Sequence, residues 1–245
     1  MVQQLPLGLR VPDRAVFASF VPGANVEALR HAQRIAAAAA LPLSWFCGPA
    51  GAGKSHLLQA ICAAGAEHMR CGYLPLRDTA ALGAGLLEGL GALDCLCIDD
   101  VEVVSGGGDW ERALFGVLRE FEEAGARLVL AAAHPPALLR WGLPDLGSRC
   151  AAAAVLALRP LAEPDQQLAL RRRAELRGFE LPEETLHWLQ RRFPRDMGTL
   201  YGLLDTLDAA GLAAQRRLTV PFIRAVLSGS APGGELHGQG GDPPP

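Results

Sequence analysis

The 23 lysine and arginine side chains of this 245-residue chain include one lysine, Lys54, in the run Gly48-Pro49-Ala50-Gly51-Ala52-Gly53-Lys54-Ser55. The spacing Gly-x4-Gly-Lys-Ser belongs to a phosphate-binding loop. Its glycines let the backbone curl until N–H groups face an anion, and the Ser55 hydroxyl is placed to coordinate Mg2+. A compact ammonium suits the outer phosphates better than a planar guanidinium does, which gives Lys54 a reason to be a lysine. The chemistry expected of Gly48, Pro49, Ala50, Gly51, Ala52, Gly53, Lys54 and Ser55 is therefore binding of a nucleoside di- or triphosphate.

A second cluster, Leu96-Cys97-Ile98-Asp99-Asp100, is an apolar run ending in two carboxylates. At the end of a strand beside a phosphate loop, the first carboxylate can hold Mg2+ through water. The second can orient or deprotonate an attacking water. Asp99 is assigned to the metal and Asp100 to the weaker role of candidate base.

These groups need a scaffold, and the apolar pattern predicts one. Leu43–Cys47 reads as a buried strand entering the loop, and 56–64 as the helix leaving it. Further strands are expected over 71–76, 93–98, 128–132 and 153–158, alternating with helices over 79–90 and 109–124. That alternation predicts an α/β core, a five-stranded parallel sheet with helices on both faces and ligand at the carboxyl ends of the strands. After Arg159-Pro160 the strand signals stop. Helices over 163–177, 183–193 and 199–213, and a short one opened by Thr219-Val220-Pro221, predict a small all-helical lid.

The expected organisation is a flexible peptide at 1–12, a nucleotide-binding domain at 13–158, the lid at 159–227 and a disordered Gly/Pro-rich tail at 228–245. Half of the chain is apolar, enough for a sizeable core, and the formal net charge of −3 argues against bulk attraction to nucleic acid or anionic membranes. No apolar run is long enough to span a bilayer, and no basic start precedes one, so a soluble cytoplasmic protein is expected. Six cysteines lie without zinc spacing, mostly in apolar surroundings, and read as buried free thiols.

With these pieces assembled, the chain resembles the AAA+ initiator clade and, within it, the DnaA-related regulators of the Hda family, from about residue 4 to residue 227. Phe17-Ala18-Ser19-Phe20-Val21-Pro22-Gly23 is similar to the family's adenine-side segment, and Gly142-Leu143-Pro144-Asp145-Leu146-Gly147-Ser148-Arg149 to its arginine-finger segment. Arg177-Gly178-Phe179-Glu180-Leu181-Pro182 resembles part of its lid, and Pro194-Arg195-Asp196-Met197-Gly198-Thr199-Leu200 the segment carrying its phosphate-sensing arginine. Gln4-Leu5-Pro6-Leu7-Gly8-Leu9 is similar to peptides that dock on the bacterial DNA sliding clamp, alternate leucines entering an apolar cleft beside a polar amide.

The resemblance implies ADP or ATP with Mg2+ as ligands, Phe20 and Arg195 at the nucleotide, and Arg149 acting in trans. It implies as partners the DNA polymerase sliding clamp (the beta subunit), held by Gln4, Leu5, Leu7 and Leu9, and the initiator DnaA, and it allows a homodimer. The implied function is negative regulation of replication initiation by stimulating ATP hydrolysis in DnaA. Where lidded nucleotidases carry a water-positioning polar residue after the fourth strand, this chain has alanines and then His134, so weak or no autonomous ATPase is expected. Direct sequence-specific DNA binding is not expected. No helix-turn-helix follows the lid, and residues 159–224 carry eleven arginines against nine carboxylates, a net of only +2. The competing expectation is a self-assembling AAA+ ATPase that remodels or loads a replication protein.

Overall fold

The computed structural model describes residues 15–39, 41–176, 178, 181–193, 197–214 and 220–227. The peptide with Gln4, Leu5, Leu7 and Leu9, the lid residue Arg195 and the 228–245 tail lie outside the described residues.

A 3-10 turn at Phe17–Ser19 leads into α1 (Val26–Ala36), followed by β1 (Leu43–Cys47), α2 (Lys54–Gly65), β2 (Cys71–Pro75) and the one-turn helix α3 (Leu76–Thr79). Then come β3 (Cys95–Asp99), α4 (Gly108–Ala124), β4 (Arg127–Ala132), α5 (Pro144–Ala151) and β5 (Ala154–Ala157). All strand pairings are parallel, in the order β2-β3-β4-β1-β5. The five-stranded parallel sheet is as the sequence predicts.

Strand side chains alternate faces, and both faces of a parallel sheet must be covered. Trp45, Leu96, Ile98, Leu128 and Leu130 pack on one face against Leu114, Val117, Leu118 and Phe121 of α4. Phe46, Cys95, Cys97, Val129 and Ala131 pack on the other against Ile35 of α1 and Leu57, Leu58 and Ile61 of α2. A fully buried side chain of this size contributes about 1.5–3 kcal/mol, so the doubly covered sheet holds the strand ends rigidly. The cysteines are free, and all but the half-buried Cys71 are buried, so they serve as small apolar residues.

Three segments differ from expectation, one of them α5, for which no helix is predicted. The 79–90 stretch is not one helix: after α3 the chain makes 3-10 turns at Ala80–Leu82, Ala84–Leu87 and Leu90–Ala92. Gly83 and Gly89 take φ of 92° and 79°, a left-handed backbone that interrupts a helix. The helix α1 has no counterpart among the sequence expectations. Its buried face is mostly alanine, Ala28, Ala32 and Ala36 beside Ile35, which gives a weak apolar signal.

The helical unit comprises α6 (Glu163–Leu176), α7 (Glu183–Arg192), α8 (Met197–Ala214) and α9 (Val220–Leu227) around its own core of Leu170, Leu186, Leu189, Leu200 and Ile223. Neighbouring residues tie it to the sheet domain: Phe20 packs with the α2 face of the sheet, and Val21 with the helical core. The buried Asn25 adds a second tie. Its amide nitrogen donates to the Arg159 carbonyl and its oxygen accepts the Arg159 N–H, both at 2.8 Å. Among the described residues no helix is long and apolar enough to cross a membrane.

Candidate functional site

The phosphate loop leaves β1 at Gly48, whose φ of 152° is joined by a steric demand: a Cβ there would lie 2.5 Å from the Leu158 carbonyl oxygen. Gly53 caps α2 at φ 99°, where a Cβ would meet the Phe20 ring at 2.8 Å. Only glycine fits both places, and the result is a cradle whose amides and α2 N-terminus face one cavity. Lys54 is 8% exposed, and its ammonium donates to the carbonyls of Gly48 at 2.7 Å and Pro49 at 3.1 Å.

The cavity has a volume of about 590 Å3 and is lined by Ala50, Gly51, Ala52, Gly53, Lys54 and Ser55 of the loop. Phe20 and His56 close one end, Arg77 and Asp100 another, and Arg173, Met197 and Tyr201 face it from the helical unit. Phe20 and His56 meet edge to face, with centroids 5.3 Å apart. The His56 Nε2 lies 3.0 Å from the Val16 carbonyl oxygen, which can only accept, so this nitrogen carries the proton. Burial pushes the His56 pKa down, against the Val16 bond, and favours the neutral ring. On α6, Arg173 stands over the Tyr201 ring at 4.2 Å, a cation–π contact at the cavity wall.

At the metal end, the strand β3 delivers Asp99 to a buried position, 1% exposed. Its oxygens accept the Tyr73 hydroxyl and the Asp100 N–H, each at 3.0 Å. Burial raises the Asp99 pKa above the ordinary carboxylate value, a shift that the nearby Ser55 hydroxyl opposes and the Asp100 charge reinforces. The Asp99 carboxylate and the Ser55 hydroxyl are hard oxygens of the kind Mg2+ takes, and the glycine loop is of the kind that fits a polyphosphate. Ser55 faces the cavity, and Asp99 is not among the residues that line it.

Asp100 does face the cavity, in the left-handed conformation with φ 56°. Arg77 engages both of its oxygens, Nε to Oδ2 and Nη2 to Oδ1, each at 3.0 Å. β4, which runs between β1, the strand that enters the loop, and β3, the strand that carries Asp99, ends in the buried Ala131 and Ala132. His134 is exposed and is not among the cavity residues; its carbonyl accepts the Trp45 indole N–H at 3.0 Å.

Arg149 lies on α5 and takes no part in lining the cavity. Its Nη1 pairs with Glu122 of α4, and its guanidinium sits 5.5 Å from the Phe115 ring centre. The helix α5 is fixed at its start by Glu111, 1% exposed, whose carboxylate accepts the N–H groups of Gly142 at 3.1 Å, Leu143 at 2.6 Å and Gly106 at 2.7 Å.

The structure thus gathers the loop from Ala50 to Ser55, Asp100 and Phe20 around one cavity, sets Asp99 behind that wall next to Asp100, and leaves Arg149 outside. Sequence reading missed Tyr73, Arg77, His56 and Arg173. His56 follows Ser55 directly and was open to notice. Tyr73 comes from β2 and Arg77 from α3, and only the β2–β3 register, which pairs Pro75 with Asp99, brings them to the carboxylates.

Residues 163–227 match the family model described as Hda, lid domain. The structure is similar to domain III of the replication initiation protein DnaA from Thermotoga maritima, with TM-score 0.73 and 23% identity over 90% of this chain and 98% of that one. It is also similar to AMPPCP-bound DnaA from Aquifex aeolicus, with TM-score 0.66 and 19% identity over 83% of this chain and 68% of that one. A more distant likeness is to RuvB from Thermotoga maritima, with TM-score 0.56 and 15% identity over 81% and 65% of the two chains. Loop, parallel sheet and helical unit together have the fold of the DnaA-type initiators, and the helical unit matches the lid of the Hda family.

Proposed function

We propose that this protein is a nucleotide-bound negative regulator of DNA replication initiation, which docks on the DNA polymerase sliding clamp and stimulates ATP hydrolysis by DnaA. Residues 4–9 engage the clamp through Gln4, Leu5, Leu7 and Leu9, and Arg149 enters the ATP site of DnaA. DnaA then passes to its inactive ADP form. The observation that carries this reading is the placement of Arg149, half-exposed on a helix braced by α4 and outside the protein's own cavity. A guanidinium supplied by a neighbour stabilises charge in phosphoryl transfer and accelerates it by several powers of ten.

The protein's own cavity holds ADP or ATP, with Lys54 and the loop amides on the phosphates, Phe20 at the base and Arg195 reaching over from the lid. Ser55 and Asp99 hold Mg2+, which neutralises phosphate charge. Asp100, the candidate base, is tied up by Arg77, and β4 offers only alanines beside it, which supports weak autonomous turnover.

A reconstituted ATPase assay with DnaA and DNA-loaded clamp tests the reading. Wild-type protein is expected to accelerate DnaA turnover, Arg149→Ala to abolish the effect, and combined Gln4→Ala and Leu5→Ala to remove the clamp dependence. Unchanged hydrolysis with wild-type protein rejects it. The complete loop, with the Lys54 ammonium seated on the carbonyls of Gly48 and Pro49, favours the second reading, a self-assembling ATPase that remodels or loads a replication protein. That reading requires ATP-dependent oligomers and hydrolysis by the protein alone that Lys54→Ala abolishes.

A further inference from the structure

We propose that Glu122 is a positioning residue for Arg149, gripping one guanidinium nitrogen and turning the remaining N–H edge outward toward a nucleoside triphosphate held by a partner. The inference rests on the trans-acting role of Arg149 argued above and adds the group that aims it.

Three side chains of α4 contact the arginine or its helix: Glu111, Phe115 and Glu122. Their spacing of four and seven residues places them on one face of α4, in line with the buried Leu118. Glu111 fixes where α5 begins, by accepting the N–H groups of Gly142 and Leu143. Phe115 and Glu122 then fix the end of the side chain, the ring at 5.5 Å from the guanidinium carbon and the carboxylate on Nη1. Helix start and guanidinium are therefore both held by one rigid, core-packed element.

The pair is poorly explained as a stabiliser. Both side chains are 41% exposed, and ion pairs so wet contribute little to folding. A long arginine that waits in a single arrangement, however, loses less freedom when it meets phosphate, and accurate placement of a charged group matters most in the transition state. Guanidinium carries five N–H donors in a fixed fork, so a grip on Nη1 leaves the opposite edge for an anion.

The experiment uses full-length protein, ATP-loaded DnaA and loaded clamp, and follows phosphate release while the regulator is titrated. Glu122→Ala is expected to lower the maximal stimulated rate about ten-fold while moving the half-saturating concentration less than about two-fold, the pattern of lost orientation rather than lost contact. Glu122→Gln, which retains an acceptor for Nη1, should recover most of that loss. Adding Glu122→Ala to Arg149→Ala should lower the rate no further than Arg149→Ala alone, because the glutamate acts through the arginine. Unchanged melting temperatures exclude misfolding as the cause. A Glu122→Ala protein as fast as or faster than wild type overturns the proposal while leaving the trans role of Arg149 standing, and so does an additive loss in the double variant. Full activity of Arg149→Ala removes the role itself, and the proposal with it.

Discussion

Arg77 grips both carboxylate oxygens of Asp100 at 3.0 Å across the mouth of the nucleotide cavity. A carboxylate engaged on both oxygens by a guanidinium is a poor acceptor for a water proton. Arg77 is 65% exposed, so solvent screens the pair and the restraint is modest. Arg77→Ala should therefore raise single-turnover hydrolysis of ATP by the protein alone about two- to five-fold. Asp100→Asn in the same background should cancel the gain, and no gain with Arg77→Ala would remove Asp100 as a base.

Lys54 sits almost wholly inside the loop. Charge-assisted bonds to phosphate contribute about 1.5–3 kcal/mol, so Lys54→Ala should weaken ADP binding about 10- to 100-fold by calorimetry. Lys54→Arg should not restore it, because the bulkier planar fork has no room at a position 8% exposed.

The buried Asp99 makes a prediction about pH. Its folded-state pKa is raised, chiefly by burial, so folding favours the protonated form. The corresponding stability is fully present below the unfolded carboxylate value and is lost as pH rises through the folded one. At pH 7 the ionised carboxylate is thus a load on the fold. Asp99→Asn should raise the melting temperature at pH 7, with the gain fading as pH falls toward 4, while Mg2+-dependent nucleotide affinity drops. A lower melting temperature at pH 7 would contradict the assignment.

Glu111 accepts backbone N–H groups from both the segment after β3 and the start of α5. Removing the carboxylate deprives three part-buried backbone N–H groups of their acceptor, each at about 1 kcal/mol. Glu111→Ala should lower the unfolding free energy by about 3 kcal/mol or more, measured as a reduced urea midpoint at constant slope. Glu111→Gln should cost about half as much, since one end of the amide turns a donor toward a donor.

Much of this architecture is written locally. Leu43–Cys47 is a short apolar run between turn residues, the glycines at 48, 51 and 53 carry an unmistakable spacing, and Asp99 follows an apolar strand. The parts that escaped reading have two physical origins. The 79–90 segment has enough leucine and alanine for a helix, but glycines at 83, 85 and 89 weaken it, two of them in left-handed conformations. The contacts of Arg77, Tyr73, Glu111 and Glu122 exist only once distant elements are brought together, Arg149 lying 27 residues from Glu122 and Leu143 32 from Glu111. No periodicity in the chain encodes such pairs.

The Asn25 amide bonds both backbone groups of Arg159 as a neighbouring strand would, so the connector behaves as part of the sheet domain up to that residue. Only Pro160, Leu161 and Ala162 then separate it from the first turn of α6. With φ of Pro160 locked by its ring, the connector has one torsion fewer to vary. Arg173 and Tyr201, which ride on the helical unit in contact with each other, are thus held to the cradle by a short, partly stiffened tether.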